Sequence, residues 1–150
     1  MARFGVLHLT LTEEMIAEIN GGGGWSCPCG SVYAGLTVPR SDVADLDRRI
    51  LEALALGLYH VVAEVEADTL DQVFPLTNHI DHDWRDNPGV IRVHTPRVRS
   101  TSVGDLVFAP DTGMHFCAPR GWTRLRDPVI IDIVQRLVAN PHDTPTGASA

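Results

Sequence analysis

The spacing of apolar residues changes period along this chain, and that change limits the folds open to it. Six runs have the length and composition of strands: Phe4–Leu11, Ser31–Val38, Leu58–Glu66, Val103–Phe108, Met114–Cys117 and Gly121–Leu125. Two other stretches place apolar residues three and four apart: Val43, Leu46, Ile50, Leu54 and Leu58, then Ile130, Ile133, Val134, Leu137 and Val138. A stripe at that spacing is one side of a helix laid on a core. Strands interleaved with helices, then a β-rich segment closed by one helix, predict a single α+β domain over residues 1–140. Its sheet is expected to be mixed or antiparallel, with about three to four helices packed on it.

Punctuating residues support this division. Thr12 ahead of Glu13 and Glu14 is a cap for a short helix carrying Ile16 and Ile19, which Asn20 and the run Gly21–Gly24 stop. The glycine run lacks the Gly-Lys-Ser/Thr of a phosphate loop and reads as a flexible connection. Ser41 caps the first long helix and Gly57 ends it. Asp68-Thr69-Leu70-Asp71 opens a short helix whose far end Pro75 obscures. Asp127-Pro128 starts the last helix, with Asp as cap and Pro at the first helical position. His60 reads as a strand residue, residues 77–96 as a long polar connection, and residues 141–150 as a flexible, disordered tail.

Charge and composition exclude several roles. The net charge of −7 argues against a general nucleic-acid binder. The charge is uneven: Arg92, Arg97, Arg99, Arg120, Arg124 and Arg126 face only Asp105 and Asp111 in their stretch, giving +4 there and −11 elsewhere. All 12 basic residues are arginine, the usage of a GC-rich bacterial genome or of a phage or plasmid resident in one. No apolar run approaches the roughly 20 residues of a membrane span. Without a signal-like N-terminus the chain reads as cytoplasmic. Three cysteines do not make a disulfide framework.

Three clusters have chemical potential. Arg99-Ser100-Thr101-Ser102-Val103-Gly104-Asp105 joins a guanidinium fork, hydroxyls and a Gly-Asp turn to the apolar Leu106-Val107-Phe108. Arg99 has the geometry to pair with Asp81 or Asp105, or with a carboxylate or phosphate ligand. Asn78, Asp81, Arg99 and Asp105 therefore read either as one polar network pinning the long connection to the sheet or as a pocket. Cys27, Cys29, His115 and Cys117 supply a Cys₃His set for zinc, although each pair is separated by one residue where two to four are usual; small buried thiols are the other reading. Asn78-His79-Ile80-Asp81-His82-Asp83 offers histidines and carboxylates to a metal, or is a solvated cluster. No nucleophile elbow, metalloprotease helix motif or Ser-His-Asp order is found, so no catalytic residue is assigned.

One resemblance spans residues 61–126. A strand ending in Val65-Glu66 leads to Leu70-Asp71-x-Val73-Phe74-x-Leu76-Thr77-Asn78-x-Ile80-Asp81-x-x-Trp84. Arg99-Ser100-Thr101-Ser102-Val103-Gly104-Asp105-Leu106-Val107 and Gly121-Trp122 follow. This series resembles the YodL-like domain of bacterial and mobile-element proteins. Trp122 stands where that family has another aromatic, and residues 1–57 have no counterpart in it. The resemblance implies a non-enzymatic accessory protein, phage- or plasmid-encoded, that binds a host protein to counter defence or modulate a host process. Its docking surface would be residues 77–99 and the basic C-terminal face, with Asn78, Asp81, Trp84, Arg97, Arg99, Ser100, Ser102 and Asp105 making contacts. No cofactor is expected, zinc excepted. The competing expectation is a small metal protein or enzyme built on the Cys₃His set or on His79, Asp81 and His82.

Overall fold

The computed structural model describes residues 2–24, 27–37, 45–79, 83–95 and 98–141. Six strands form one sheet: β1 (Ala2–Leu9), β2 (Tyr59–Ala67), β3 (Val90–Val93), β4 (Leu106–Ala109), β5 (Gly113–Cys117) and β6 (Trp122–Leu125). Their order is β3-β2-β1-β4-β5-β6, and every neighbouring pair is antiparallel. Five α-helices accompany them: α1 (Glu13–Glu18), α2 (Pro28–Thr37), α3 (Leu46–Ala55), α4 (Leu70–Leu76) and α5 (Pro128–Ala139). The α+β class and the antiparallel option hold, with five α-helices among the described residues.

Alternate residues of β1 go to two different cores. Leu7 and Leu9 join Leu106, Phe108, Met114 and Phe116, packed against Val32 and Leu36 of α2, Ile50 and Leu54 of α3, and Ile130 and Val134 of α5. Phe4 and Val6 join Val65, Val107, Val73 of α4 and Trp84. Successive strand side chains point to opposite faces. The sheet therefore carries most helices on one face, and α4 with the long connection on the other. Gly5 lets α5 approach β1, because a Cβ there would lie 3.1 and 3.2 Å from the methyls of Val138.

β2 changes face midway. Val6 pairs with Ala63 but Leu7 pairs with Val61, so Val62 is an extra residue in the ladder. Tyr59 and Val61 consequently enter the helix-covered core, whereas Ala63, Val65 and Ala67 enter the opposite one.

Several local expectations hold. Thr12 caps α1 through Met15 N–H, and Asp127 caps α5 through Val129 N–H with Pro128 following it. Gly57 has φ +75° directly after the end of α3. Others need correction. The strand expected at Ser31–Val38 is helix α2 over its described part: Pro28 opens it, and Cys29, Val32 and Leu36 form a buried stripe at intervals of three and four. Leu106, not Val103, begins β4, because Val103-Gly104 is a turn in which Gly104 has φ +102°. The long connection contains a 3₁₀ turn (Trp84–Asp86) and the edge strand β3. Ser41 and Val43, expected in the first long helix, and the expected tail from His142 onward lie outside the described residues. No helix among the described residues is long and apolar enough to cross a membrane.

Candidate functional site

The Arg99–Asp105 segment folds onto itself and onto the end of β1. Asp105 is fully buried. Its Oδ1 accepts from Leu9 N–H at 2.8 Å and Arg99 Nη2 at 2.7 Å. Its Oδ2 accepts from Ser102 N–H at 2.8 Å and Arg99 Nη1 at 2.7 Å. Arg99 also donates to the carbonyls of Leu9 and Ser100, at 2.8 and 2.9 Å, and to Ser102 Oγ at 3.2 Å. The two charges thus act mainly as a staple between β1 and the turn before β4. Burial works against the Arg99 charge, but the Asp105 carboxylate outweighs it and holds the guanidinium above its ordinary value.

The same staple carries the long connection. Trp84, wholly buried, donates its indole N–H to the Arg99 carbonyl at 2.9 Å. Ser100 Oγ accepts from His79 N–H at 2.8 Å, and Thr101 N–H donates to the Thr77 carbonyl at 2.9 Å. His79 Nδ1 accepts from Trp84 N–H at 3.1 Å, which leaves Nε2 to donate to the Val98 carbonyl at 3.0 Å. Asn78 turns back to donate its side-chain amide to the Phe74 carbonyl at the end of α4. Trp84 and Asp105 are therefore interior residues and cannot touch a partner, contrary to their expected docking role. Arg99, Ser100 and Ser102 stay partly or wholly accessible while serving the staple. Asp81, His82 and Arg97 lie outside the described residues.

Around Asp105 sit His8, Tyr59, Thr101 and Cys117, a set of residue types that elsewhere performs catalysis. Here each is quiet. Burial depresses His8 to about 4, only partly opposed by Asp105, while Arg99 lowers it further. At neutral pH the ring is uncharged, and its 3.8 Å approach to Asp105 is not an ion pair. His8 Nε2 meets Thr101 Oγ1 at 3.0 Å and Asp105 on the same nitrogen, whereas a relay needs the acid on the other one. Thr101 is 1% exposed. Burial, reinforced by Asp105 and eased by Arg99, pushes the Cys117 thiol up to about 12. Tyr59, raised well above its ordinary value by burial and then by Asp105, donates to the Gly104 carbonyl at 2.7 Å.

Beside this knot lies an open groove of about 490 Å³, whose lining includes His8, Glu13, His60, His94, Thr95 and Arg99. His8 and His60 are cross-strand partners on β1 and β2. Burial also lowers His60, against a hydrogen bond with the Gly57 backbone that raises it. The groove offers the partly exposed rings of His60 and His94, a threonine hydroxyl and one edge of a guanidinium, while His8 is buried. No sequence motif marks it, because its residues come from β1, the start of α1, β2 and the segments after β3; the histidines at 8, 60 and 94 are the available signal.

The Cys₃His set does not assemble. Cys27 and Cys29 lie in the helix-covered core. His115 and Cys117 flank Phe116, which points into that same core, so both point to the opposite face. His115 instead approaches the Thr112 carbonyl through Nε2 at 3.0 Å. Among the described residues the thiols of Cys27 and Cys29 have a different neighbour, Glu18. Comparison of the chain with protein-family models, with curated proteins and with solved structures finds no match.

Proposed function

We propose that this is a non-enzymatic accessory protein of the YodL-like kind, phage- or plasmid-encoded, that acts by binding a host protein. The observation that carries this reading is the groove beside the Arg99–Asp105 staple. One of its walls is tied to the sheet by the bonds of Arg99, Trp84 and Thr101, so it is preformed. Burial lowers His60 on its wall, which suits hydrogen bonding to a polar protein segment better than proton transfer. The groups with catalytic potential nearby are enclosed or, like Cys117, pushed far from reactivity.

The staple also decides which residues test the idea. Arg99 is a poor probe, since replacing it disturbs β1 and the connection together. Glu13 and Thr95 line the groove outside the Arg99–Asp105 segment. Tagged protein should retain a host polypeptide from lysate, and Glu13→Arg/Thr95→Arg should lose it while its circular dichroism and Tm stay unchanged. Retention of nothing by the parent protein, or equal retention by the double variant, refutes the reading.

A further inference from the structure

The four-glycine run has a structural consequence that the groove does not use. α1 ends at Glu18, and the chain continues through a π-helical turn, Ile19–Gly23, with Gly24 at φ +61°. At the start of α2, Cys27 takes the capping position: its Sγ accepts from Gly30 N–H at 3.4 Å and its carbonyl from Ser31 N–H at 2.9 Å. Cys29 Sγ lies 3.3 Å from Cys27 Sγ. A carboxylate oxygen of Glu18 and the two sulfurs all lie within 4.8 Å of one another. Both thiols are buried and Glu18 is exposed, so the cluster is open on one side.

We propose that Glu18, Cys27 and Cys29 form a zinc site, with two thiolates and one carboxylate as protein ligands and water in the fourth position. Tetrahedral zinc with bonds of about 2.3 Å to sulfur sets two sulfurs about 3.8 Å apart, so the observed pair needs to open by only about half an ångström. Thiolate with carboxylate favours zinc over monovalent copper, which selects sulfur alone, and over magnesium or calcium, which select oxygen. The alternative use of a close dithiol is disulfide exchange, which requires thiolate character. The site works against that, because the Glu18 carboxylate lies beside both sulfurs and repels a thiolate. A divalent cation reverses this situation, because it neutralises the carboxylate and displaces one proton from each thiol to solvent.

Cobalt(II) replaces zinc and reports its ligands. Titrated into reduced, metal-free protein, it should give a thiolate-to-cobalt charge-transfer band and the visible bands of tetrahedral cobalt, saturating at one equivalent. Zinc should then abolish both bands and raise Tm. Cys27→Ser/Cys29→Ser should lose the bands; at position 27 serine Oγ replaces the capping Sγ as acceptor. Glu18→Gln changes only an exposed side chain and should weaken zinc by at least about tenfold, the loss typical even of partners outside the ligand shell. The proposal is overturned if no charge-transfer band appears, if Glu18→Gln binds zinc as the parent does, or if the double serine variant still takes up one equivalent. It is equally overturned if zinc fails to slow formation of a Cys27–Cys29 disulfide by an added low-molecular-weight disulfide, read as the loss of two hydrogens from the intact mass.

Discussion

Removing the Asp105 carboxylate should cost more stability than removing the guanidinium that pairs with it. Asp105 is fully buried and accepts from two backbone amides, those of Leu9 and Ser102, besides both terminal nitrogens of Arg99. Asp105→Ala takes that acceptor from both amides at once, and an unsatisfied buried group costs about 1–3 kcal/mol. The Arg99 side chain is 40% exposed, so solvent screening reduces the charge pairing itself to about 1 kcal/mol or less. The sum for Asp105→Ala is about 4 kcal/mol. Arg99→Met leaves both amide bonds to the carboxylate in place and opens the vacated space to water. Its cost is therefore about 2 kcal/mol, below the roughly 3–5 kcal/mol of breaking a fully enclosed pair. Urea unfolding followed by tryptophan fluorescence measures both, and Trp84 is a direct reporter because its indole bonds to the Arg99 carbonyl. In a thermal melt the Asp105→Ala loss corresponds to roughly 10 °C for a chain of this size. If Arg99→Met proves as damaging as Asp105→Ala, charge pairing and not backbone tethering holds the staple, and the reasoning fails.

Four further outcomes follow from the structure. His8 is depressed to about 4 in the folded protein against 6.5 unfolded, so between these values the unfolded chain binds the extra proton and stability falls as pH falls. The loss approaches about 3 kcal/mol at the acid end, and His8→Gln should flatten this slope relative to the parent in urea midpoints taken from pH 7 to 4.5. Gly104→Ala should cost about 1–3 kcal/mol, since φ is +102° and the new Cβ would meet Leu9 Cδ2 at 3.2 Å and the Leu36 carbonyl at 3.3 Å. Gly21→Ala, where nothing lies within 4 Å, should leave Tm unchanged or slightly raised. Cys117, buried and pushed up to about 12, should resist iodoacetamide at pH 8 in the native protein and react once urea is added, as peptide mass mapping will show.

What the sequence made legible divides by range of interaction. Thr12, Gly57 and the Asp127-Pro128 pair act within a few residues, and each stands where local chemistry puts it. α2 was misread because Val32, Tyr33 and Thr37 favour strands on propensity, while the stripe at 29, 32 and 36, which decides the matter, has a helical period. Pairing of Arg99 with Asp105 was among the readings available. That the same carboxylate also holds the Leu9 amide was not, because 96 residues separate them and a backbone donor leaves no mark in a sequence. Glu18 escaped notice for a related reason: its nearness to Cys27 depends on how a glycine-rich turn folds, and glycine encodes freedom, not direction.

The extra residue in β2 sets how this molecule comes apart. Because Val62 turns the strand over, Tyr59 and Val61 belong to one core and Ala63 and Val65 to the other. A fluctuation that frees β2 as a whole strips residues from both layers, so neither layer has a partly folded form of its own to retreat to. Unfolding should therefore be a single transition, identical by fluorescence and by circular dichroism. Deleting Val62 should leave that unity in place, since plain alternation then keeps Val61 opposite Leu7 and Ala63 opposite Val6, each toward its own layer.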